Sequence, residues 1–191
     1  MAKDRAILSA ANVSHGSVRR IAVTAIGIAL FVVLTLCLQV PVFENYYLCL
    51  GYIIMAVCLY SFGTISGTLV GVIGVLLYCI LTGGLRGMPG WAAGNLLIGI
   101  IVGPTFGKTK NLNKKWLAAV LNFLAILLST ALGILILKSA VEWILYSQPL
   151  VVRLGKNVFA FAADIFVLEI SLPICMSLDP VLKKMFKGNT E

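Results

Sequence analysis

From Ile21 to Leu38 the chain runs through eighteen residues, IAVTAIGIALFVVLTLCL, without one charged side chain. A helix needs about 18–20 such residues to cross a bilayer, where lipid offers no partner to a free backbone N–H or C=O. Similar apolar runs recur along the whole length. The composition agrees, at 60% hydrophobic and 12% charged, whereas soluble domains carry about a quarter charged residues. The expected fold class is an all-α integral membrane protein, a single domain over residues 1–191 built as a six-transmembrane-helix bundle. No stretch remains for a separate soluble domain. The polar first 20 residues lead into an apolar run with no small-residue cleavage site after it. That pattern reads as a retained first span and not as a removed signal peptide.

The expected spans are about 21–38, 47–61, 64–81, 91–103, 116–137 and 158–176. PVFENYY connects the first two, and SFGTISG leaves almost no turn between the second and third. The fourth is short, so it must tilt, extend or lie in thinned bilayer. Basic residues then orient the chain. Lys3, Arg5, Arg19, Arg20, Lys108, Lys110, Lys114, Lys115, Lys183, Lys184 and Lys187 fall on one side, and Arg86, Lys138, Arg153 and Lys156 on the other. Eleven against four places the first side, with both termini, in the cytoplasm. The net charge of +8 is thereby a topology signal, not a nucleic-acid footprint.

Small residues pattern the spans. Gly63, Gly67 and Gly71 recur every four residues before Gly74, and Gly99, Gly103 and Gly107 repeat the spacing. Such stripes let backbones approach closely. Ala22, Ala25 and Ala29 share a face of the first span, suited either to packing within the bundle or to docking a partner's helix.

Several chemistries are excluded. GPTFGKT, Gly103 to Thr109, has three residues between its glycines where a phosphate loop needs four, and it ends a span instead of following a strand. The single histidine, His15, lies in the N-terminal segment, so no Ser–His pair forms within the spans, and no HExxH or acidic cluster appears. The chain does not read as an enzyme, and no metal site is expected. Its five cysteines, Cys37, Cys49, Cys58, Cys79 and Cys175, form no CxxC and read as apolar packing residues.

The polar residues left inside the spans are few. Asn157, Asp164 and Ser171 recur every seven residues in the last span, and Asn122, Ser129 and Gly133 form a similar stripe in the fifth. Asp164 either bonds a ligand or pairs with Arg86 or backbone groups. Glu169, five residues on, points about 140° away and suits a helix–helix bond. Arg86 stands in GGLRGMPGW at the outer mouth, near Trp91 and Asn95 and near Glu44, Asn45, Tyr46 and Tyr47 of the first connection. Its guanidinium suits a carboxylate, held bidentately. An interfacial Arg and Trp anchored in headgroups fits equally well.

These pieces resemble the membrane-embedded substrate-binding subunit, or S-component, of energy-coupling-factor (ECF) vitamin transporters. The resemblance covers Arg19 to Met176 and is carried by RRIAVTAIGIALFVVLTL, with its AxxxA at Ala25 to Ala29, by FGTISGTLVGVIGVLLYCILTGG and by PGWAAGNLLIGIIVG. It implies capture of a vitamin from outside a bacterial cell, under a lid of outer loops. Release inward would be driven by a transmembrane coupling subunit and two ATPases. ATP and magnesium belong to those partners, and this chain binds no cofactor. Ala25 and Ala29, with Ala22, become the coupling face. The pantothenate-specific members look most similar, which implies substrate contacts at Arg86 and Asn122, with Asn95, Trp91, Tyr46 and Asp164 also candidates. Asn122 lies about six residues, or ~9 Å, from the cytoplasmic end of its span, deep for a site that opens outward. A pyridoxine-like, hydroxymethylpyrimidine or cobalamin substrate stays open. So do a solitary ion-coupled carrier using Asp164 and a ligand-free structural subunit.

Overall fold

The first apolar run belongs to helix α1, Ala2–Cys37, which extends well past the expected span. The computed structural model describes residues 2–187 except 39, 44, 45 and 148, and side chains other than those of 2–17, 40–43, 46, 47, 183, 186 and 187. Glu44 and Asn45 therefore lie outside the described residues. The connection after α1 is a small antiparallel hairpin, β1 Val40–Phe43 and β2 Tyr46–Leu48, with Pro41 opposite Tyr47. In a two-stranded ribbon every strand is an edge, so a proline without its N–H is tolerated. The second helix consequently starts later than expected: α2 covers Gly51–Phe62.

Helix α3 spans Thr64–Thr82 and stops at Gly83, whose φ of 73° is the left-handed conformation a helix-ending glycine supplies cheaply. Helix α4, Met88–Thr109, begins with Pro89 in its first turn, where a missing N–H costs nothing. It extends beyond both ends of the short span expected there. Lys115–Thr130 forms α5, Ala131–Lys138 a π-helical segment, and Ser139–Tyr146 α6. The three run on as one stretch, so the fifth span is longer than 116–137. Helix α7, Leu150–Lys187, likewise overruns 158–176.

Among the described residues, five helical stretches are long and apolar enough to cross a membrane: Val18–Cys37, Thr64–Thr82, Met88–Thr109, Lys115–Tyr146 and Leu150–Leu182. At 12 residues, α2 is the short apolar remainder, ~18 Å long against a ~30 Å hydrocarbon core. Helix α3 packs on α1, α2 and α4, while α2 also lies against α7. Phe31, Met55, Leu59, Val70, Ile98 and Phe106 are buried between them.

The glycine stripes pack only in part. A Cβ on Gly67 would stand 2.5 Å from the Leu59 backbone nitrogen, and one on Gly99 2.2 Å from Thr68 Oγ1. Gly71 and Gly74 abut Met55 and Phe31, and Gly103 abuts Thr64. Gly63 and Gly107 face open space. Ala22, Ala25 and Ala29 are exposed on α1, so they do not pack within the bundle; Gly27, Phe31 and Thr35 take that role.

Candidate functional site

At the hairpin end of the bundle lies a cavity of about 770 Å³. Its walls come from Thr35 of α1, Leu48 of β2, Cys49 just after it, and Tyr78, Cys79 and Thr82 of α3. Gly83, Gly84, Arg86 and Gly87 of the α3–α4 turn, Trp91 of α4, and Lys138, Glu142, Arg153, Lys156, Ala160 and Asp164 complete it. Four cations and two carboxylates therefore share one space.

Each wall has a local cause. Gly87 N–H donates to the Gly84 carbonyl at 3.2 Å, closing a tight turn that carries Leu85 and Arg86 between them. Arg86 is exposed at the cavity rim. Opposite it, the π-helical segment sets the register. Gly133 is buried against Gly94, where a Cβ on Gly133 would meet the Gly94 carbonyl oxygen at 2.8 Å. Residues five apart on an α-helix point about 140° away from each other. The i to i+5 bonding of a π-helix stacks them instead, and Lys138 is buried on the same side as Gly133. One turn further on, Glu142 is buried as well.

The floor is a hydrogen-bonded network centred on Tyr52. Its hydroxyl accepts from Trp91 Nε1–H at 2.8 Å and lies 2.8 Å from Asn95 Oδ1 and 3.1 Å from Asp164 Oδ2, so its one proton serves two acceptors. Asn95 Nδ2 donates to the Gly71 carbonyl at 2.9 Å, which fixes the amide's orientation. Trp91 also stacks edge-on against Tyr78, with ring centroids 5.7 Å apart. One phenol thus joins α2, α3, α4 and α7.

Of the residues singled out from sequence, Arg86, Trp91 and Asp164 line the cavity, and Asn95 is buried one layer beneath it. Trp91 is held inside the bundle and does not face lipid as an anchor. Asp164 pairs with Tyr52, not with Arg86. Asn122 is elsewhere: its Oδ1 accepts from Thr109 Oγ1 at 2.8 Å, at the end of α4 remote from Trp91, ~27 Å away along the helix. Tyr46 lies in β2, with its side chain outside the described set. Glu169 Oε1 is buried with no hydrogen-bond partner among the described residues, so it does not make the interhelical bond expected of it.

Tyr52, Lys138, Glu142, Arg153 and Lys156 went unrecognised as a site. In the sequence Lys138, Arg153 and Lys156 read as topology markers. Arg153 Nη1 lies 3.4 Å from Glu142 Oε2, and Asn157 Nδ2 donates to Ser139 Oγ at 2.9 Å and to Glu142 Oε2 at 3.5 Å. Cys49 is buried beside Thr35, and burial above all, with Asp164 nearby, pushes its thiol up to about 12.

A helical membrane bundle whose one end encloses a deep, polar, cation-walled cavity is a small-molecule binding protein embedded in the bilayer. Residues 15–179 match the family described as ECF-type riboflavin transporter, S component. The chain belongs to that family, and is thus a non-enzymatic, multi-pass membrane subunit for vitamin transport of the kind that works with an ECF module. No curated protein and no solved structure matches it.

Proposed function

We propose that this subunit captures an acidic vitamin, pantothenate, from outside a bacterial cell membrane and passes it inward with an ATP-driven partner. The observation that carries the reading is the cavity wall, where among the described residues Arg86, Lys138, Arg153 and Lys156 stand with the two carboxylates Glu142 and Asp164. Cations crowded into a space of restricted dielectric repel one another and favour an anionic ligand. Pantothenate brings one carboxylate for Arg86 and hydroxyls that can donate to Asp164, with Trp91 and the buried Asn95–Tyr52 layer holding the Asp164 carboxylate in place. In this reading α2 is a sixth, short span, both termini are cytoplasmic and the cavity opens outward. Ala22, Ala25 and Ala29 are the face for a coupling subunit, which joins two ATPases that consume ATP and magnesium.

Riboflavin is the second reading, favoured by the family's description and by a cavity roomy enough for a fused ring system. It is uncharged at neutral pH and draws no charge attraction from the cationic wall. The test is calorimetry on the purified chain in detergent with pantothenate, riboflavin, pyridoxine, thiamine, folate and cobalamin, each repeated with Arg86→Ala. Pantothenate is expected to bind the wild type, and a folded Arg86→Ala to weaken it about tenfold or more. Tight riboflavin binding that is indifferent to Arg86 would replace pantothenate as the substrate.

A further inference from the structure

We propose that Arg153 is a second anion-reading side chain of this cavity, and that Glu142 sets specificity by competing with the ligand's carboxylate for it. The inference rests on the acidic-vitamin reading and gives Arg153 and Glu142 individual roles within it.

The Arg153–Glu142 pair is poorly made. Guanidinium and carboxylate prefer two parallel N–H···O bonds at about 2.7–2.9 Å. Here a single Nη1 approaches one oxygen at 3.4 Å. Arg153 Nε is buried with no acceptor in reach among the described residues. The same Glu142 oxygen is also engaged by Asn157 Nδ2. Arg153 therefore lines the cavity with half of its fork uncommitted.

Glu142 does not depend on Arg153 alone. The side-chain stems of Lys138 and Glu142 both pass over Gly90, whose added Cβ would lie 3.1 Å from Lys138 Cγ and 3.2 Å from Glu142 Cγ. Asn157 Nδ2 remains on the carboxylate when Arg153 turns away, and Lys138 runs alongside it, which lowers the cost of stranding a buried charge. A ligand carboxylate offers the guanidinium the bidentate geometry that Glu142 does not. A neutral analogue offers nothing to exchange for. The exchange therefore discriminates an acid from the matching alcohol.

The experiment compares affinities for pantothenate and for panthenol, in which the carboxylate is replaced by a hydroxymethyl group. Wild type, Arg153→Gln, Glu142→Gln and the double variant are each measured by calorimetry beside a thermal melt. The wild type is expected to favour the acid by about tenfold or more, and Arg153→Gln to lose about tenfold of that ratio. Glu142→Gln is expected to widen it, and the widening should vanish in the double variant, because its benefit acts through Arg153. An unchanged ratio in folded Arg153→Gln overturns the proposal, as does a gain from Glu142→Gln that survives in the double variant. Should Arg153→Gln fail to fold, Glu142→Gln decides: a wider ratio supports the exchange, and an equal or narrower one overturns it. If the wild type binds neither compound, the acidic-vitamin reading falls as well.

Discussion

Tyr52 carries more of the site than any single charge does. Its hydroxyl is the shared partner of Trp91, Asn95 and Asp164, and it is fully buried. Tyr52→Phe removes one oxygen and leaves a donor and two acceptors without the partner they share. The expected cost is about 1–3 kcal/mol of stability, seen as a lower unfolding midpoint in detergent, together with weaker ligand binding. An unchanged midpoint would mean that the three groups find other partners. Nothing in the sequence marks this tyrosine, since an aromatic in an apolar run looks the same whether it meets lipid or a carboxylate. Asp164 and Asn95 were legible because a polar group inside a span must be satisfied by something, and Arg86 because it stands alone in a glycine-rich turn between two apolar runs. Lys138, Arg153 and Lys156 were visible too, but as counts toward orientation. A basic residue near a span end fits both roles, and only packing separates them.

Among the elements, the helices were legible and their ends were not. Spans three and four stand out as apolar runs carrying glycine stripes, and at Gly67, Gly71, Gly99 and Gly103 those stripes do admit a close neighbour, α2 against α3 and α3 against α4. The stripes' outermost members differ. Gly63 has a φ of 93° at the start of α3, and Gly107 meets nothing. Alanine substitution should therefore rank the positions by what their Cβ would strike. Gly67→Ala, which strikes the Leu59 backbone, should lower the melting midpoint most. Gly71→Ala should cost less, because the obstructing Met55 side chain can swing aside, and Gly107→Ala should be near neutral. Equal effects across the three would show that spacing alone, not contact, governs these sites. The π-helical segment was illegible for a plain reason: a period of 3.6 residues turns Lys138 away from the face of Gly133, and only the wider turn brings it round.

At the scale of the whole molecule the two ends are built differently. Remote from the cavity, Lys110 Nζ donates to the Tyr60 carbonyl, lies 3.0 Å from Asp179 Oδ1 and stands 4.1 Å over the Tyr60 ring, tying α2, α4 and α7 together. That end carries a charge pair, whereas the described residues around the cavity at the hairpin end comprise four cations and two carboxylates. The six-helix count rests on α2, which apolar length alone does not qualify to cross. Two thiols, Cys49 and Cys79, sit in the cationic wall, while Cys58 and Cys175 are buried in the core and Cys37 is exposed. Cys49 and Cys79 are both buried, and burial pushes the Cys49 thiol up to about 12, so labelling is slow and the two thiols together serve as the reporter. The wall then acts as a sieve for the sign of a reagent. In a Cys37→Ser chain, an anionic methanethiosulfonate should modify the cavity faster than a cationic one of equal size, each rate taken relative to a free thiol in solution. A ratio no different from that of the free thiol would mean that Glu142 and Asp164 already neutralise the wall. With the expected bias, every anion of suitable size competes for the same entrance, and the protein's own cysteines record which of them get in.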